Sequence, residues 1–347
     1  MQQITTINRN TNLDFLRFMA ISAVILAHMD APGIVFQARN FDVPLIVLIA
    51  GISYLQYSSK NYLHYGDYLF SRFVRLVIPT WIFLAFYNLV FFLGSDWRPG
   101  TDNLIKQYSL IGGSEIGIWI LRVLFSMAII APLLLKINNH IKNNRLFFAG
   151  IIITFIFYEV LLYNSKQFLP ENIFNISELI IFFTVPYALI FLLGIRLPSL
   201  SKRTIRNLIF LFFAIFFLYL FFLYLQNFKF IPTQQFKNPP QIYYVSYALF
   251  VSTSLFYITK FNIIYIDKFN LIQFIGRSTL WIYLWHWFII KLYNYFKIDL
   301  NFLLKFLLIY TITVILVYVQ TKIIHLVASN KLLNKNQNKL FVKVFTG

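Results

Sequence analysis

Polar and apolar positions alternate along this chain in long blocks rather than at short period. About ten segments are apolar enough and long enough for a helix to cross the ~30 Å hydrocarbon core of a bilayer. They lie at roughly 12–29, 41–58, 74–94, 116–136, 145–164, 177–195, 204–226, 241–260, 271–292 and 300–325. Polar residues collect between them, and no connecting stretch is long enough for a soluble domain. The longest outer loop, about 95–115, holds "SDWRPGTDN" and "GGSEIG", whose Gly, Asp and Asn mark turns. The pattern predicts an all-α polytopic membrane protein with about ten transmembrane helices. Residues 1–328 form a single transmembrane domain, and 329–347 form a basic tail on the inner leaflet or in disorder. The first segment differs from a secretory leader, because Arg17 interrupts it and no small-x-small site follows at the right place. It reads as a retained first span.

Composition sharpens this picture. Hydrophobic residues make up 59% of the 347, and charged residues only 12%, well below the ~25% of soluble domains. The absence of cysteine excludes disulfides, thiolate metal sites and thiol catalysis. A net charge of +18 would suggest nucleic acid for a soluble chain. Here its distribution explains it, and no nucleic-acid partner is expected. With alternating spans and a cytoplasmic N-terminus, the outer side receives only Arg39, Arg98, Lys106, Lys166, Lys229, Lys237, Lys291 and Lys297. Arg122 and Lys305 fall within spans, and the remaining Lys and Arg lie inside. This bias places both termini in the cytoplasm.

A few polar residues inside spans need a reason, since such residues are costly in a bilayer and mark function or pairing. Arg17 and His28 share the first span. Eleven helical steps separate them, about three turns plus 20°, which puts both on one face about 16 Å apart. The alternatives are a shared polar cavity, or a snorkelling Arg with an interfacial His. Arg72 and Arg75, spaced i, i+3, project from one side of the helix entering span three. They serve either as basic flanking residues or as a phosphate clamp, for which the planar guanidinium is suited. His286 lies among Trp281, Trp285 and Trp287, in an interfacial aromatic belt or on a carbohydrate-sized cavity. Arg122 and Glu159, opposite charges in adjacent spans, are expected to pair, and Lys305 is expected to snorkel outward. His64, His140 and His325 receive no role, and the five histidines are too scattered to define a metal site. No phosphate loop, nucleophile elbow or H-E-x-x-H motif is present.

Five stretches in order resemble the membrane-bound acyltransferase-3 family. "RFMAISAVILAH" (Arg17 to His28) is similar to its opening Arg-x10-His. "DVPLIVLIAGISYL" (42–55) resembles its second-span stretch, and "SRFVRLVIPTW" (71–81) its Arg-x-x-Arg followed by Pro and an aromatic. "GIWILRVLFSMAIIAPLL" (117–134) is similar to its Trp-Phe-Leu span, and "FIGRSTLWIYLWHWFII" (274–290) to its late Gly-Arg-x-Ser…His span. Ala50-Gly51-Ile52 stands where Ser-Gly-Phe is usual, so any role of that serine is lost. The extra soluble domain of some members is missing, as in bacterial capsule or adhesin polysaccharide O-acyltransferases.

The resemblance implies transfer of an acyl group, usually acetyl, from cytosolic acyl-CoA to a hydroxyl of an extracytoplasmic glycan. It places the protein in the plasma membrane of a bacterium, with polysaccharide-synthesis machinery as a possible partner and no metal. Arg17, Arg72 and Arg75 would hold the phosphates of acetyl-CoA, and His28 would act as general base. Asp30 could orient His28 if the helix ends or bends before it. His286, Trp285 and Trp281 would contact the sugar. Direct transfer and a covalent acyl-histidine are both open, with a hydroxyl acceptor and a single base favouring the first. A glycan-precursor exporter and a structural partner of a glycan synthase are the rival readings.

Overall fold

The computed structural model describes residues 10–59, 64–94, 98–110, 116–263, 269–329 and 334–346. Among the described residues there is no β-strand. The helices run α1 (Thr11–Leu26), α2 (Gly33–Ala38), α3 (Asp42–Ser58), α4 (Tyr65–Gly94), α5 (Thr101–Tyr108), α6 (Trp119–His140), α7 (Asn144–Phe168), α8 (Glu171–Ser177) and α9 (Thr184–Arg196). They continue with α10 (Lys202–Asn227), α11 (Ile242–Lys260), α12 (Asn270–Arg277), α13 (Thr279–Tyr295), α14 (Phe302–Ser329) and α15 (Lys335–Thr346). A π-helical turn at Glu178–Phe182 joins α8 to α9.

Every expected apolar segment coincides with helix, but among the described residues only eight elements are long and apolar enough to cross a membrane. The two that fall short are α1 and the α12–α13 pair. Helix α1 has 16 residues, about 24 Å at 1.5 Å per residue. It closes through i→i−3 bonds, from His28 N to Ile25 O (3.0 Å) and from Met29 N to Leu26 O (3.3 Å). Asp30 then turns into the left-handed region (φ 55°), and Pro32 follows two residues later. The second short element breaks at Ser278, between α12 and the 17-residue α13. Gly276 causes α12 to lie directly on α1, since a Cβ there would overlap the carbonyl of Asp14. Interrupted spans of this kind are tolerated only where the protein buries them, and these two carry Arg17, His28 and His286.

The core around them is dense. Helices α3 and α9 cross at Gly51 and Gly194, where an added Cβ would overlap the carbonyl oxygens of Phe191 and Leu48 respectively. The glycine that replaces nothing in the family pattern, Gly51, is thus required by backbone contact. Helices α7, α10 and α14 instead expose apolar side chains such as Ile153, Leu218 and Leu326 along their outer faces, as a lipid-facing surface does. The tail departs from expectation. Residues 335–346 form α15, which folds back on the bundle: Trp281 donates to the Val344 carbonyl (3.0 Å), Gln320 to that of Phe345 (2.7 Å), and Lys343 to Ser71 Oγ (2.9 Å).

The Arg122–Glu159 pairing does not form. Glu159 accepts from the backbone N–H of Ile242 (2.5 Å), at the start of α11, where a carboxylate satisfies an otherwise free helical donor. Arg122 lies over the ring of Phe183.

Candidate functional site

Two cavities lie between α1, α3, α6 and α13. One, of about 210 Å³, is lined by Arg17, Ser53, Tyr68 and Arg72, with Ile120 and Tyr283 at its inner end. The other, of about 270 Å³, is lined by His28, Arg39, Asp42, Gln234, Lys237 and Asn238, again with Ile120 and Tyr283. The same two side chains therefore belong to both walls, and they alone are shared. The Tyr283 hydroxyl donates to the Gly117 carbonyl, which holds the ring across the junction. The shared face expected of Arg17 and His28 is resolved into two chambers with a two-residue waist.

The arginine chamber rests on a buried carboxylate. Asp14 is fully buried and binds Arg17 (2.8 Å) through one oxygen and Arg277 (3.2 Å) through the other. Arg17 also donates to Ser53 Oγ (2.8 Å), so a serine reaches this arginine one turn beyond Ala50. Arg72 packs over the ring of Tyr68 at 5.1 Å. Among the described residues, the guanidiniums of Arg17, Arg72 and Arg277 outnumber the one carboxylate of Asp14, which leaves this end positive. Arg75 does not line the chamber. It faces the tail helix, where burial first, and then the charges of Arg75, Lys339 and Arg72, hold the Lys343 ammonium below its ordinary pKa.

The histidine chamber contains an ordered pair of imidazoles. His286 is fully buried on α13, and its Nδ1 faces the carbonyl of Tyr283. A carbonyl only accepts, so Nδ1 of a neutral His286 carries the proton and its Nε2 holds a lone pair. That Nε2 lies 3.2 Å from His28 Nδ1. His28 then donates from Nδ1, which leaves its own Nε2 as the unprotonated, basic nitrogen of the neutral ring. Trp287 closes one side of the His28 ring, with centroids 4.4 Å apart. Gly117 makes room for that indole, since a Cβ there would come within 2.8 Å of it.

The remaining wall is charged. Asp42 accepts from Arg39 (2.8 Å), from its neighbour Val43 N (2.8 Å) and from Lys237 (3.5 Å). All three charged residues are buried. Burial pushes the Lys237 ammonium down, while the Asp42 charge works to hold it up. The segment before α3 and the loop before α11 are clasped together around this cluster, Asn40 donating to Thr233 (2.8 Å) and Arg39 to Gln234 (3.4 Å).

Of the residues expected at the site, Arg17 and Arg72 share one chamber and His28 lies in the other. His286 sits behind His28 rather than on a chamber wall. Asp30 points outward, 86% exposed, and pairs with Lys305; it does not touch His28. Trp285 donates to Gln320 (2.7 Å) on α14, and Trp281 stacks on Phe345 of the tail helix. Neither lines a chamber. Asp14, Arg39, Asp42, Lys237 and Tyr283 carry no site role in the sequence, and Trp287, expected beside His286, also covers the His28 ring. The one local sign was Asp14, three residues before Arg17, the spacing at which helical side chains meet.

The acyltransferase-3 family model, described as an acyltransferase domain, matches residues 10–321, nearly the whole chain. The chain belongs to this family of membrane acyltransferases. No curated protein and no solved structure matches it.

Proposed function

We propose that this acyltransferase-3 family member moves an acetyl or other short acyl group from cytosolic acyl-CoA to a hydroxyl of an extracytoplasmic polysaccharide. The arginine chamber is the donor entrance, opening to the cytoplasm. Arg17 and Arg72 bind the phosphates of the donor, with Arg75 and the tail-helix Lys343 adding positive charge beside them. The acyl-pantetheine arm passes the waist between Ile120 and Tyr283 and brings the thioester to His28. The acceptor hydroxyl enters the histidine chamber from the opposite side.

His28 Nε2 takes the hydroxyl proton as the oxygen attacks the thioester carbonyl. The tetrahedral adduct collapses, the C–S bond breaks, and the thiolate recovers the proton from His28. The products are the ester and free CoA. His286 strengthens the base, because its Nε2 accepts from Nδ1 of the imidazolium that forms. The single observation that carries the reading is this placement: an Nε2-basic His28 in one chamber, and an arginine-lined chamber separated from it by two side chains.

Acetyl-CoA binding to the purified protein tests it. Arg17→Ala and Arg72→Ala each weaken binding by roughly ten-fold or more, as for loss of a charge-assisted contact. A protein that binds no acyl-CoA refutes the proposal and returns the exporter reading.

A further inference from the structure

The charged wall of the histidine chamber is unbalanced. Among the described residues, Arg39 and Lys237 share a single carboxylate, Asp42, so with both side chains protonated the buried cluster carries one excess formal positive charge. Their donors are also underused. Among the described residues, Arg39 Nε is buried with no hydrogen-bond partner, and its Nη2 reaches Gln234 only at 3.4 Å. Lys237 makes one long contact, at 3.5 Å, with aromatic rings of Trp119 and Tyr244 beyond it. Asp42 cannot relieve this, because both its oxygens are already engaged. A buried cation without full compensation is costly. Both of these side chains line the same space as His28, so a group placed there can complete them.

We infer that Arg39 and Lys237 form a subsite for an anionic group of the acceptor, a carboxylate or a phosphate carried on or next to the sugar whose hydroxyl meets His28. This rests on the acyltransferase reading above and narrows its acceptor to acidic glycans. Gln234 and Asn238 on the same wall supply neutral partners for sugar hydroxyls. Asp42 serves to hold the two cations in place and keeps the excess at a single charge, which suits a monoanion.

The test uses the full-length protein in native membranes and the glycan of cells that express it. Mass spectrometry and NMR locate the protein-dependent acyl group. The inference expects it on a residue that bears, or directly adjoins, a carboxylate or phosphate. That glycan is then deacylated and offered back with acetyl-CoA, either intact, carboxyl-reduced or dephosphorylated. Removing the relevant anion raises the acceptor KM on the order of ten-fold, and the treatment that does so identifies carboxylate or phosphate. Lys237→Met raises the KM for the intact glycan similarly, leaves kcat nearly unchanged, and has little effect on the neutralised glycan. An acyl group on a neutral sugar with no anionic neighbour overturns the inference. So does a Lys237→Met protein whose kcat falls equally on intact and neutralised glycan, which would assign the charge to the reacting carbonyl. A transferred group that itself bears the anion overturns it too. In all three cases acyl transfer itself stands; only the absence of any protein-dependent acyl group sinks both proposals.

Discussion

His286 provides the sharpest mechanistic prediction, because it touches the proposed base and neither chamber. In the resting site, His28 Nδ1 and His286 Nε2 share one proton across 3.2 Å. When His28 accepts the acceptor's proton, that neutral hydrogen bond becomes charge-assisted. A neutral bond contributes about 1 kcal/mol and one to a charged group about 1.5–3 kcal/mol. His286→Phe removes the acceptor and leaves the imidazolium unsupported as it forms. The barrier then rises by the difference between the two bonds, about 0.5–2 kcal/mol, which is roughly a two- to 30-fold fall in kcat at 1.36 kcal/mol per decade. His286→Gln, whose amide oxygen can accept from Nδ1, recovers part of the loss. The assay is transfer of labelled acetyl from acetyl-CoA to glycan by protein in liposomes, with kcat and both KM values measured. The KM for acetyl-CoA stays put. Wild-type kcat in His286→Phe refutes the relay. A raised acceptor KM with normal kcat would instead make His286 part of the sugar site.

Two further perturbations test the scaffold and the donor entrance. Gly194→Ala drives a methyl into the Leu48 carbonyl, and the resulting separation of α3 and α9 costs about 1–3 kcal/mol, read as a lower Tm; Gly66→Ala, where a Cβ meets nothing within 4 Å, leaves Tm unchanged. Lys343→Ala detaches the tail helix from Ser71 and raises the KM for acetyl-CoA roughly two- to five-fold, as for a partly exposed ion pair, without affecting the acceptor KM.

Much of the fold was legible because membrane length is a one-dimensional property: each apolar segment found became helix. Where the segments end was less so. Nothing local in the apolar stretch "AVILAH" announces that α1 stops at Leu26, since the stop depends on the turn that Asp30 and Pro32 impose beyond it. That turn also explains Asp30. It is the carboxylate nearest to His28 in sequence, but its left-handed backbone sends it out to Lys305. The carboxylate that does line the His28 chamber is Asp42, delivered by the start of the next long helix. Partners far apart in sequence carried no signal at all: His286 is 258 residues from His28, and Lys237 is 195 from Asp42. The tryptophans show the same limit at closer range. Trp281 and Trp285, four residues apart, share one face of α13 and meet α14 and α15, while Trp287 turns to His28. Which face of a uniformly apolar helix looks inward is set by its neighbours, not by its own pattern. Arg17 and His28 stand out in the sequence because a polar or charged group inside a span is costly enough to need a purpose, and Arg72 because of its i, i+3 spacing to Arg75.

The central claim is that His28 performs proton removal in a chamber separate from the donor phosphates, and one variant separates those roles. His28→Ala protein, reconstituted with acetyl-CoA on the side of the arginine chamber and glycan on the other, should bind acetyl-CoA with wild-type Kd. It should lose transfer by about 10²- to 10⁴-fold, the usual contribution of a general base. Transfer at the wild-type rate by His28→Ala would contradict the account.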